Sequence, residues 1–312
     1  MASSFDRALN DDFIKQLQAE AGRGGWWADV LADDQLIIGL RRTYLNVYWR
    51  GQSLFRVESA SSGLRVTTHA KYLVDPALAS QVTLTDRDFG LAILAGKGFI
   101  PRYEGPRTIE KMKQAAGLHS GLEKTGCHEI AVRNDGFIDC EIAFPGKVPH
   151  PAGGDDKQAP RIDIAAVERS GKDARLVFWE AKDYGNGELR AKNGRAAVLR
   201  QMGFYRDYLT KHRQAIELTY TAMAKNLASL RDMGWKRALS PVIADVASGK
   251  RTLTLGAEPV VGLVIFGFDS AQRDHAGWKT HHDRLKQAIV HVCSAGDAEN
   301  LRLAMKRIRR KA

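Results

Sequence analysis

Asp163, Glu180 and Lys182 are the residues of this chain whose types and spacing could do chemistry together. They are carried by 161–168 (RIDIAAVE) and 175–182 (RLVFWEAK), two strand-like segments. Ser170-Gly171-Lys172-Asp173 between them is turn chemistry, so the pattern predicts neighbouring strands of a hairpin. Side chains alternate faces along a strand, which puts Glu180 and Lys182 on one face. With the hairpin closed, Asp163 falls beside them. Two hard anionic oxygens can hold a Mg²⁺ ion, which is usually bound by one or two carboxylates with water and substrate phosphate. Such a metal polarises a phosphoryl group and makes its water a better nucleophile. An ammonium nearby positions that water or offsets charge developing on the phosphate. The chemistry this grouping suits is the cutting of phosphodiester bonds.

Pro160, Asp163 and Glu180-Ala181-Lys182 resemble the signature of the PD-(D/E)xK nuclease superfamily, the restriction-endonuclease-like fold. Here Asp163 stands three residues after the proline rather than next to it. Further on, Gln201 and Tyr205 are four apart and share one face of a helix. Val198, Met202, Tyr208 and Leu209 fall on that face, which is therefore the one turned to the core. An inward glutamine needs partners, since a buried unpaired amide costs roughly 1–3 kcal/mol. The Q-x-x-x-Y pattern after E-x-K is similar to the third motif of the RecB-like exonuclease branch.

The resemblance implies an αβββαβ core with Asp163 and Glu180 as ligands of Mg²⁺ or Mn²⁺. It implies Lys182 as the water-positioning or charge-stabilising group, and Gln201, with Tyr205 one turn on, as the organiser of the site. Members often carry a glutamate on the helix before the first core strand, where it reaches the metal or its water. By facing, Glu123 is the first candidate for that role and His119 the second. Defence against foreign DNA is a typical role of compact members, with repair as the other, and the residues select neither.

The elements that must position these groups can be read in order. Residues 5–21 have Phe5, Leu9, Phe13 and Leu17 near helical spacing, ended by Gly22 to Gly25. Trp26-Trp27 precede a β-meander at 36–41, 44–49, 53–58 and 64–69. Its tyrosines with Arg41, Arg42 and Arg50 suit either a nucleic-acid surface or, more commonly, the rim of a half-buried sheet. Residues 76–100 look helical and then loop-like, and a domain division is expected near residue 103, giving domains 1–103 and 104–312. A helix is expected over 108–124, with Ile109, Met112, Ala116, His119 and Glu123 on one face. Strands are expected at 128–133 and 137–144, joined by the hairpin signal Asn134-Asp135-Gly136. Glu129, Asp139 and Glu141 then read as surface acids of an edge hairpin.

The Pro- and Gly-rich loop 145–160 is long enough to close over substrate, and His150, Asp155 and Asp156 in it read as solvated. After Lys182, the glycines 185 and 187 with Arg190, Lys192 and Arg195 suit a passing phosphate backbone. Helices are expected at 214–235 and 274–294. Between them the apolar run 260–268 suits a strand buried on both faces and joined through a helical crossover. A basic helix around 306–311 closes the chain.

With 312 residues, 44% of them hydrophobic, the chain can bury a large core, and the expected class is α/β. Three cysteines far apart argue against a cysteine zinc site or a disulfide scaffold. No apolar run approaches the ~20 residues of a membrane span, and the N-terminus lacks a charged-then-apolar signal layout, so a cytoplasmic protein is expected. A net charge of +11 suits a polyanionic partner. DNA is the expected partner and a homodimer is left open. An RNA-directed nuclease, a non-catalytic nucleic-acid binder on a nuclease fold and a basic scaffold for a protein partner are the alternatives.

Overall fold

The computed structural model describes residues 5–74, 98–144, 148–149, 157–158, 161–191, 194–289 and 291–303. The chain forms two compact units. One comprises Leu9–Gly121 with Leu230–Arg237, the other Met1–Ala8, Leu122–Ser229 and Ala238–Ala312. The division therefore falls between Gly121 and Leu122 rather than near residue 103.

The first unit contains α1 (Asp11–Arg23), α2 (Trp26–Ala32), the strands β1 (Ile37–Arg41), β2 (Tyr44–Trp49), β3 (Gln52–Ala60) and β4 (Gly63–Thr67), and α3 (Pro106–Gly117). The first helix begins at Asp11, not Phe5, because Asn10 caps it by accepting from the Phe13 N–H. Helix α2 is absent from the sequence reading; it is a short turn that buries Trp27, Val30 and Leu31. The strands form the expected antiparallel meander in the order β1-β2-β3-β4. Tyr44 is engaged within the sheet: the Arg56 guanidinium lies 3.6 Å from its ring centre and pairs with Glu58 at 2.8 Å.

The second unit carries α4 (Leu122–Arg133), β5 (Phe137–Ala143), a two-residue ribbon of β6 (Val148–Pro149) and β7 (Lys157–Gln158), then β8 (Arg161–Ser170) and β9 (Asp173–Asp183). There follow α5 (Ala197–Lys211), α6 (Arg213–Asp232), α7 (Pro241–Ala247), β10 (Leu253–Thr254), β11 (Val260–Phe266), α8 (Ser270–Asp274), α9 (Ala276–Ala288) and β12 (Val292–Ser294). The main sheet runs β12-β11-β9-β8-β5, with β10 beside β9. Strands β5, β8 and β9 are antiparallel neighbours, whereas β11 and β12 run parallel to β9. That parallel step follows from the connection, since β11 returns to the sheet only after α5 to α7.

Helix α6 buries Ile216, Tyr220, Met223, Ala224 and Leu227 at helical spacing. Its Tyr220 ring meets Phe178 of β9 at 5.8 Å, on the same strand face as Glu180. Helix α4 packs against Phe266 so closely that a Cβ on Gly126 would lie 2.1 Å from its ring. Phe266 is in register with Asp183, so α4 covers the opposite face. A similar approach explains a glycine within β11, where a Cβ at Gly262 would meet Trp179 at 2.4 Å.

Several expected elements are corrected. The 108–124 helix breaks at 118–121, so His119 lies outside both α3 and α4. Residues 128–133 are the end of α4, not a strand; six residues are too few for apolar spacing to separate the two states. Asn134-Asp135-Gly136 is accordingly a helix-to-strand turn, in which Asn134 Nδ2 donates to the Ile130 and Leu301 carbonyls. The helix expected to 294 ends at Ala288 and gives way to β12. Asp139 is no surface acid: it is buried, 2.5 Å from Arg7 Nε, and accepts from the Tyr220 hydroxyl. Most of 76–100, Pro160, His150, Asp155, Asp156 and the basic stretch 306–311 lie outside the described residues. Among the described residues no helix is long and apolar enough to cross a membrane.

Candidate active site

Pairing between β8 and β9 runs from Ser170↔Asp173 to Ile164↔Trp179. Beyond that step β9 continues on β11 as far as Asp183, and β8 continues on β5 as far as Arg161. Each strand is then held on its outer side alone, and the sheet forks at the step that carries Asp163 and Glu180. Asp163 closes the base of the fork with its side chain, Oδ2 accepting from the Ala181 N–H at 2.8 Å. A carboxylate here stands in for a ladder carbonyl, which fixes the acid in place and satisfies a buried donor.

Glu180 is 1% exposed and Lys182 7%. Lys182 Nζ lies 2.8 Å from Glu180 Oε1 and 3.0 Å from Glu188 Oε2. The second approach lacks hydrogen-bond alignment and is a contact of charges, since Glu188 Oε2 has no hydrogen-bond partner. The other oxygen of Glu180, Oε2, is also buried without a hydrogen-bond partner. That is costly for a carboxylate.

The electrostatics follow from this crowding. Burial lifts the Asp163 carboxyl to about 7, against the opposing pull of Lys182 and the Ala181 N–H. Burial, and then the neighbouring Asp163, hold Glu180 well above the usual carboxylate range. Burial works against the Lys182 ammonium, but Glu180 and Asp163 outweigh it and the net shift is upward, so the ammonium stays protonated. Burial and the acids Asp163, Glu141, Glu180 and Glu123 push the Cys127 thiol well up, which removes it as a thiolate nucleophile.

Two helices and a turn complete the surroundings. On α5, Gln201 Nε2 donates to the Tyr205 hydroxyl at 2.6 Å, and that hydroxyl donates to the Arg161 carbonyl at 2.5 Å, at the open end of β8. Gln201 thus reaches the fork through Tyr205, while its own Oε1 is buried without a hydrogen-bond partner. Burial and then Glu180 push the Tyr205 phenol up, so it remains a donor. On the first turn of α4, Glu123 accepts from Asn186 Nδ2 and its charge acts on Asp163 and Lys182. His119 belongs to the other compact unit, where its carbonyl accepts from Gln52.

No family model, curated protein or solved structure matches this chain. Asp163, Glu180, Lys182, Gln201, Tyr205 and Glu123 are all brought to the forked end of β8 and β9. Of the basic residues after Lys182, Arg190 is used internally: it donates to the Tyr184 and Asn186 carbonyls and lies over the Tyr184 and Trp278 rings. Arg195 is exposed, and Lys192 lies outside the described residues.

Two residues were missed by the sequence reading. Glu188 is set against Lys182 by an Asx turn, in which Asn186 Oδ1 accepts from the Glu188 N–H at 2.9 Å. The Asn-Gly-Glu run directly after E-x-K was the available signal. Glu141, read as a surface acid, pairs with Arg161 at 2.8 Å and raises Asp163. It sits at φ 50° within β5, between the pairs Cys140↔Ile164 and Ile142↔Ile162, hence opposite Asp163. A non-glycine residue held in that region is a strained backbone of the kind found at functional sites, and side-chain patterning gives no sign of it.

Proposed function

We propose that this chain is a Mg²⁺- or Mn²⁺-dependent nuclease that hydrolyses phosphodiester bonds of DNA on a restriction-endonuclease-like core. The order α4, β5-β8-β9, α5 and α6, then β11 parallel to β9, supports the αβββαβ core that the sequence resemblance implies. The observation that carries the function is the buried Glu180 Oε2, left without a hydrogen-bond partner next to the half-buried Asp163. Burial pushes both carboxyls upward, Asp163 adding to the push on Glu180, so the pair is short of positive charge, and Lys182 meets only one oxygen of Glu180. A hard divalent cation fits that deficit, and Asp163 and Glu180 are the residues that would hold it.

When bound, such an ion polarises the scissile phosphoryl group and strengthens a water as nucleophile. The chain's own groups do the rest. Lys182, kept protonated between Glu180 and Glu188, offsets charge developing on the phosphate. The Ala181 N–H holds Asp163 in orientation, and the Gln201–Tyr205–Arg161 chain of hydrogen bonds holds the open end of β8. The net charge of +11 favours a polyanionic substrate.

Incubation with circular, linear and single-stranded DNA and with RNA, with and without Mg²⁺, tests the proposal. DNA should be cut in Mg²⁺ by the wild type and not by Asp163→Asn. Cutting of RNA alone would move the substrate class. Binding of nucleic acid with no cleavage in any metal would leave a binder on a nuclease fold.

A further inference from the structure

A cavity of about 240 Å³ is lined by Leu189, the residue that follows the Glu188 meeting Lys182. Its floor is apolar, made by Leu189, Ala196, Leu199 and Leu285, all of them buried. Its mouth is basic: Arg195, from the segment before α5, and Arg284, from α9, line the cavity and are exposed. His281, one turn before Leu285, adds a half-buried imidazole ring to the same wall. The wall is anchored, because Arg190 lies over both Tyr184 and Trp278 and so ties the turn after β9 to α9.

We infer that this cleft takes one unpaired nucleobase of the DNA strand, with the phosphates on either side of it against Arg195 and Arg284. The inference rests on the nuclease reading for the identity of the strand. Its volume lies just under the ~300 Å³ lower end of small-molecule pockets, which suits a single ring system rather than a whole nucleotide. A ring such as that of His281 accepts any base by stacking and the aliphatic floor packs against it, whereas guanidinium groups at the mouth track the backbone. A base lodged beside Glu188 holds its strand next to Lys182 and the two acids. The cleft thus positions DNA without reading its sequence.

Binding in chelator tests this without cleavage. The probes are a labelled oligothymidylate and an abasic oligomer of equal length. They are titrated with the wild type, Arg195→Ala/Arg284→Ala, Ala191→Trp (which fills the cleft) and a control, Lys172→Ala/Lys250→Ala. The control removes the same two charges from exposed positions at the other end of β9. The wild type should bind the abasic strand on the order of tenfold more weakly, from the lost stacking. Ala191→Trp should erase that difference. Arg195→Ala/Arg284→Ala should weaken both probes and lower the salt slope by about 1.4, the value for two phosphates of a single strand. The control should keep the base preference and lose less affinity.

Equal binding of the two probes by the wild type, or a double arginine variant no weaker than the control, overturns the inference. Because the readout is binding without metal, an inactive wild type would count against the nuclease reading and leave this result standing.

Discussion

Asp163 and Glu180 hold a charge imbalance that leaves a signature in stability. An acid whose folded pKa lies above its unfolded one binds more protons when folded, so its stabilising contribution is full at low pH. For Asp163 that contribution is present below ~4 and is lost as pH rises through about 7. In chelator, Asp163→Asn should therefore match the wild type near pH 4 and exceed it at pH 8, by on the order of 1–3 kcal/mol in urea unfolding. Asparagine keeps an oxygen that can accept from the Ala181 N–H, so the base of the fork stays closed. A variant less stable than the wild type at pH 8 would show that Asp163 is a structural acid. Lys182 makes a separate prediction. Lys182→Ala should lower cleavage by about 100-fold or more while DNA affinity changes little, because it is one of many basic groups. Loss of binding in step with activity would make Lys182 an affinity residue.

Helix α5 carries the prediction at the level of an element. Gln201 acts on the fork through Tyr205 and the Arg161 carbonyl rather than by touching either acid. Gln201→Ala should fold and bind DNA, yet need more Mg²⁺ and cut on the order of 10–100-fold more slowly. A sharp fall in melting temperature with an unchanged metal response would reduce Gln201 to packing. This helix was legible in sequence because its apolar positions repeat over four turns; Val198, Met202, Tyr205 and Leu209 are all buried as that spacing requires. The hairpin of β8 and β9 and the apolar strand β11 were legible for the same reason, each being long and strongly patterned. Helix α4 was not. Six residues are too short a window to tell a strand from a helix, and the fit of Gly126 under Phe266 comes from a strand far along the chain. Helix α2, the break at 118–121 and the end of α9 were lost to short length or weak punctuation.

At the scale of the molecule, the split between Gly121 and Leu122 escaped a reading by composition because the chain crosses between units more than once. The first eight residues and 230–237 each join the unit remote from them in sequence, and Arg7 buries against Asp139 as a result. The grouping of Asp163, Glu180 and Lys182 was legible because they lie on one hairpin, with Gln201 on the next helix. Glu188 and Glu141 were not, since a turn and a strained backbone place them. The central claim is that Asp163 and Glu180 make hydrolysis depend on a divalent cation. Its most direct test is the rate of DNA cleavage against Mg²⁺ concentration, from chelator upward, for the wild type and Glu180→Gln. Cutting should be absent in chelator, rise saturably with Mg²⁺ for the wild type, and stay near background for Glu180→Gln. Full activity in excess chelator, or a Glu180→Gln curve that overlays the wild type, would contradict the claim.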